Sequence, residues 1–214
     1  SDIGTAFDID GTVTIAGGGT LGLGTMDIDA GTGLLSTAGA TTFNFDGASF
    51  IGGTWTDTGS NDIVNFAVPS AGATISPKAG TIWGQLGVTG SGRTATFTQS
   101  ITVAGNVTVG NDATVALGDN SIVMTGNVAT LTLTDEAAIT NTGSTGGLQM
   151  NGDGQSITVA GVPNVTPTLS NIVVNNTAPV PVDLVIDEPI NISGTLELLD
   201  GGVEIDGATG ANAT

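Results

Sequence analysis

The residues best suited to chemistry are acids set two positions apart. FDIDG at 7–11, MDIDA at 26–30 and FNFDG at 43–47 each write an apolar residue, an acid or amide, an apolar residue, Asp, and a small residue. In a strand, residues i and i+2 share a face. Asp8 and Asp10 therefore point one way and Phe7 and Ile9 the other. The same holds for Asp27 and Asp29 against Met26 and Ile28, and for Asn44 and Asp46 against Phe43 and Phe45. If the three segments stack, the acids become outward ladders with rungs ~4.8 Å apart. Carboxylates at that distance repel by roughly 1 kcal/mol per pair in water. A bound Ca2+, a cation that prefers oxygen ligands, offsets that repulsion. Asp8, Asp10, Asp27, Asp29 and Asp46 are therefore the candidate metal ligands. The simpler reading is that they keep an outer face wet. A carboxylate pair for glycoside hydrolysis is a third.

The other candidates are weaker. Asn151-Gly-Asp-Gly154 resembles a calcium-loop fragment but reads more simply as a turn. Thr94, Thr96 and Thr98, like Thr130, Thr132 and Thr134, place three hydroxyls on one strand face. Flat Thr arrays on β-solenoids can bind ice, yet the two runs do not recur from one coil of the repeat to the next. Trp83 reads as core or end cap before it reads as a sugar platform. Lys78 and Arg93 are the only cations and read as members of single ion pairs. Asn-x-Ser/Thr occurs at Asn106, Asn164, Asn175, Asn191 and Asn212.

Composition removes whole classes of function. Cys and His are absent, which excludes disulfides, thiol nucleophiles, Cys/His zinc sites and His-based triads. Twenty acids against two bases give a net charge of −18, so no basic face exists for nucleic acid or an anionic membrane surface. No run of ~20 apolar residues offers a transmembrane segment. Ser1 is not an initiator Met, as expected of a chain that has lost a leader or of a piece of a longer protein.

The elements that must position these residues are strands. Short runs alternate apolar with polar residues, as in Ile101-Thr-Val103, Val107-Thr-Val109 and Leu131-Thr-Leu133, and Gly, Asn or Asp follows. Internal repeats separate a solenoid from a sandwich. Ile101–Gly105 recurs identically at Ile157–Gly161, and Asn120–Val128 repeats Ser100–Val107 after 21 residues. Spacings of about 17–21 residues predict one turn of a parallel β-helix with two or three strands per coil. The fold expected is all-β, a right-handed parallel β-helix, with an antiparallel β-sandwich as runner-up. One solenoid spans 1–214, with irregular stretches near 59–93 and 161–189, or with a separate small β-domain from about 162.

The stretches SITVAGNVTVGNDATVALGDN (100–120) and LSNIVVNN…INISGTLELLDGG (169–202) resemble the repeats of bacterial surface β-helix proteins, such as autotransporter passengers and haemagglutinin-like adhesins. The resemblance implies an extracellular or cell-surface structural role and carries no catalytic residues. The expected function is a non-enzymatic fibre subunit or adhesin stalk that partners itself head to tail. The alternative is a carbohydrate-binding or carbohydrate-active module with glycan partners; ice binding ranks below both.

Overall fold

The computed structural model describes the backbone of residues 6–8, 12–16, 20–22, 27–29, 34–38, 42–45, 49–51, 54–57, 63–143, 145–161, 166–175 and 184–205. Side-chain surroundings are described for 42–45, 50, 63–143, 145–161, 166–175 and 184–204. Asp10 and Asp46 lie outside the described residues.

Among the described residues there are 27 short strands and no helix. Every third strand joins the same sheet, and every pairing is parallel, as in Leu86 beside Val107 and Val107 beside Leu131. The chain is thus a parallel β-solenoid with three faces. Face I is a nine-stranded sheet running from Ala6–Asp8 to Asn191–Ile192. Face III is a nine-stranded sheet running from Thr20–Gly22 to Val203–Ile205. Face II divides into a three-stranded sheet, Thr12–Ala16 to Thr54–Asp57, and a six-stranded sheet, Ile82–Trp83 to Leu196–Asp200. The antiparallel sandwich does not form.

Alternation explains the core. In Thr130–Thr134, Leu131 and Leu133 are buried and the three Thr are half-buried. Stacking then turns single buried residues into columns. On face II, Ile101, Ile122, Leu148 and Ile172 lie in register, one per rung, and all are buried. Full burial of such side chains contributes about 1.5–3 kcal/mol each. Aromatic rings concentrate toward the N-terminal part of the described core. Phe45 packs on Phe50 at 5.3 Å between ring centroids, and Phe66 on Trp83 at 5.7 Å.

Corners need a different solution, because the ladder is interrupted there. Side chains of one coil replace the missing backbone acceptors of the next. The Thr130 N–H donates to Asn106 Oδ1 at 2.9 Å, Asp153 N–H to Asn127 Oδ1 at 3.1 Å, and Thr195 N–H to Asn171 Oδ1 at 3.0 Å. The Glu136 N–H likewise donates to Asp112 Oδ1 at 3.1 Å. Asn111, Asp112 and Asp135 hold φ of 54°, 56° and 59°, a region that short polar side chains tolerate best after glycine. Between faces II and III the coils approach so closely that a Cβ on Gly126 would overlap the Ala104 carbonyl oxygen.

The stretches expected to be irregular carry strands. Ile63–Ala67, Ala73–Ser76, Ile82–Trp83 and Gln85–Thr89 occupy 63–89, and Thr168–Leu169, Ile172–Asn175 and Leu184–Ile186 fall within 161–189. The strands after residue 162 extend the same sheets. Coil length also varies more than the sequence repeats suggest: 21 residues separate Val103 from Met124, but 30 separate Ile139 from Leu169.

Candidate functional site

The acid motifs separate on folding. Ala6–Asp8 and Asp27–Asp29 are neighbours on face I, with Asp8 beside Asp29 and Asp27 beside Ala6. The register is two residues away from the motif alignment, which put Asp8 over Asp27. Beyond Asp29 the next rung presents Ile51. Thr42–Phe45 belongs to face III, where Asn44 lies between Gly22 and Asn65. The expected three-rung acid ladder therefore does not stack; two rungs share a sheet and the third is elsewhere. Asn44 instead joins an amide pair, accepting at Oδ1 from Asn65 Nδ2 at 3.0 Å. Among the described residues no group of three or more His, Cys, Asp or Glu is placed to hold a metal ion.

Asn151–Gly154 is a turn. The Val128 N–H donates to the Asp153 carbonyl at 2.6 Å, and Gly154 has φ 61°. Trp83 is core: it is fully buried and packs on Phe50, Phe66 and Phe97. Arg93 donates from Nη1 to the Val68 carbonyl at 2.9 Å, bracing a corner between faces III and I. Asn106 is exposed, but its amide oxygen is already committed to Thr130. Asn164 and Asn212 lie outside the described residues.

Sequence reasoning passed over three features. The first is the arrangement of hydroxyls. Thr74 lies beside Thr96, and Thr94 beside Thr114, on face I. On face III, Thr108, Thr132 and Thr158 follow one another in register, and Thr130 stands 3.0 Å from Ser156, oxygen to oxygen. Neither three-threonine run recurs whole, as expected, since Ala116 lies beside Thr96 and Ala160 beside Thr134, but single hydroxyls do recur in register from coil to coil. Unequal coil lengths hid this. The second feature is where the acids sit. Asp112, Asp135, Glu136, Asp187 and Glu188 all lie in connections from face III to face I. The third is the C-terminal rung of face II. All five residues of Leu196–Asp200 are exposed, and a bulge shifts the register so that Asn175 opposes Asp200. Beside this strand lies a groove of about 330 Å³, lined by Gln149, Asn171, Val173, Thr195, Glu197 and Leu199.

Fold and surface together define a three-faced parallel β-solenoid with hydroxyl-rich faces and an acidic corner. No protein-family model matches the chain, and no curated protein and no solved structure matches it significantly. Among the described residues, no helix is long and apolar enough to cross a membrane.

Proposed function

We propose that the chain is an extracellular structural protein, a fibre subunit or an adhesin stalk segment, that extends by stacking one β coil on another. One observation carries this reading. Leu196 and Leu198 stand in register with Ile172 and Val174, which are wholly buried, yet they are themselves 39% and 52% exposed. The core columns of face II thus reach the surface at the last described rung. Among the described residues no further strand pairs with Leu196–Asp200, and a strand edge with aliphatic side chains in the core phase is a template for another strand. The chain's parallel strand direction is the same at its first rungs, so the first coil of a second copy fits this edge head to tail. The high negative charge opposes that contact and makes it salt-dependent.

Sedimentation velocity across a concentration series, with negative-stain microscopy, tests the reading. Rods that lengthen with concentration and ionic strength are expected. Leu198→Asp should leave monomers with an unchanged far-ultraviolet spectrum. A wild-type protein that stays monomeric at high concentration in high salt would defeat end-to-end stacking. A glycan-binding module is the second reading, favoured by the groove beside Gln149 and Glu197. Binding on a glycan array that Gln149→Ala abolishes would favour it instead.

A further inference from the structure

We propose that the outer surface of face I binds ice. The chain carries a net charge of −18, yet none of the outward residues on the strands from Ala73–Ser76 to Thr168–Leu169 of this face is charged. Their outward positions form two neighbouring columns. One runs Thr94, Thr114, Ala138, Thr168 and the other Thr74, Thr96, Ala116, Thr140, with one residue per rung. Strand geometry sets the lattice: ~4.8 Å between rungs and about 6.7 Å between the columns. Between the columns, a shallow trough of about 280 Å³ is bounded by Gly72, Thr74, Thr94 and Thr96, with room for a row of waters.

Each part of this surface suits an ordered water lattice. A hydroxyl both donates and accepts, so it can take the place of a water molecule in a hydrogen-bonded network. Threonine is stiff at χ1, so its hydroxyl and methyl keep fixed places above a sheet that the parallel ladder already holds rigid. At the edge of the array, Thr98 Oγ1 donates to Ser76 Oγ at 2.8 Å, which fixes two more hydroxyls. A carboxylate or an ammonium group would impose its own hydration shell on the lattice. Around these strands the acids stand in the connections, at Asp112, Asp119, Asp135 and Glu136, and Asp8, Asp27 and Asp29 belong to earlier rungs of the face, outside the array. A flat polysaccharide is the rival ligand for a hydroxyl-rich sheet, but sugar recognition favours aromatic platforms. No outward residue on these strands is aromatic, and Trp83 is buried. Face III carries an unbroken column, Thr108, Thr132 and Thr158, but only Thr108 of it is exposed, whereas on face I Thr74, Thr94 and Thr96 are all exposed and Thr114, Thr140 and Thr168 half-buried.

The test uses the full chain. Single ice crystals are grown just below their melting point in a nanolitre osmometer, and thermal hysteresis and crystal shape are recorded. Wild type should produce faceted crystals with a measurable hysteresis gap. T96K, which puts an ammonium in the middle of the face I array, should reduce the gap several-fold. T132K, on face III, should leave it unchanged. Thermal melts followed by circular dichroism establish that both variants fold as wild type does; if T96K does not, T96V, which removes the hydroxyl but keeps the shape, takes its place. Round, unshaped crystals with wild type would overturn the proposal. So would a folded face I variant with the full gap, or loss of the gap in T132K alone. Binding of wild type to crystalline cellulose without any effect on ice would also overturn it and give the face to a glycan.

Discussion

Leu148 and Leu196 are the same residue type in the same column of face II, two rungs apart, with Ile172 between them. Leu148 is wholly buried and Leu196 is 39% exposed. Their strands are alike, each placing its core residues two apart. The difference lies in what stands beyond each: among the described residues Leu148 has a rung on both sides, whereas Leu196 has one on only one side. In a solenoid, a strand's own pattern orients a side chain toward the core, but neighbouring coils supply the burial. A second contrast lies between face and corner. Outward positions on the central strands of faces I and III carry hydroxyls, amides and small residues, whereas the connections between these faces carry acids. Stacked strands bring like positions ~4.8 Å apart. A carboxylate on every rung of a face would repel its neighbours, whereas a Thr column places hydroxyls within bonding reach. Corners project into water, and unequal coil lengths spread their charges.

The first way to break the comparison is to truncate both leucines. Leu148→Ala should cost about 2–5 kcal/mol. Leu196→Ala should cost less than about 1 kcal/mol, because much of the side chain is already in water. Urea titration of each variant measures the gap; equal losses would mean that Leu196 is covered in solution. Next in size is Gly126→Ala, whose methyl would overlap the Ala104 carbonyl oxygen of the preceding coil. Overpacking of this kind costs typically about 1–3 kcal/mol, and a lowered thermal midpoint would show it. A smaller effect is expected at Asn106, which caps the Thr130 N–H across coils. Asn106→Ala should cost about 1 kcal/mol and raise hydrogen exchange at the Thr130 amide. The smallest expected change is Thr132→Val, which removes the 3.4 Å hydroxyl contact to Thr158 but keeps the β-branched shape. A loss under about 0.5 kcal/mol is expected, since cross-strand hydroxyl pairs are individually weak.

Much of the fold is legible in the sequence, for identifiable reasons. Ile101-Thr-Val103 and Leu131-Thr-Leu133 read as strands because alternation of β-branched or aliphatic residues with Thr suits a sheet with one face buried. Asn120–Val128 repeats Ser100–Val107, and the structure places Ile122 beside Ile101 in agreement. The other repeats mislead. Ile101-Thr-Val-Ala-Gly105 and Ile157-Thr-Val-Ala-Gly161 are identical, yet Ile101 lies on face II and Ile157 on face III. The described parts of FDIDG and FNFDG, residues 7–8 and 43–45, likewise fall on faces I and III. Each face asks the same of a strand, an apolar side inward and a polar side outward, so a segment that suits one suits all three. The hydroxyl columns were hidden for the same reason. Thr74 and Thr96 are 22 residues apart, but Thr132 and Thr158 are 26 apart, and no single period finds both.

The sequence by itself determined the strands, the side each turns inward, the acidity of the surface and the absence of thiol and imidazole chemistry. These follow from residue type and from a two-residue period, both local properties. Tertiary structure alone decided which face each strand joins, which residue it lies beside and whether its apolar side is covered. Those depend on the number of residues each corner consumes, and a corner can take up several more without disturbing the ladder on either side. Register is a property of neighbouring coils, and it is what turned scattered threonines into columns and left Leu196 and Leu198 exposed at the edge.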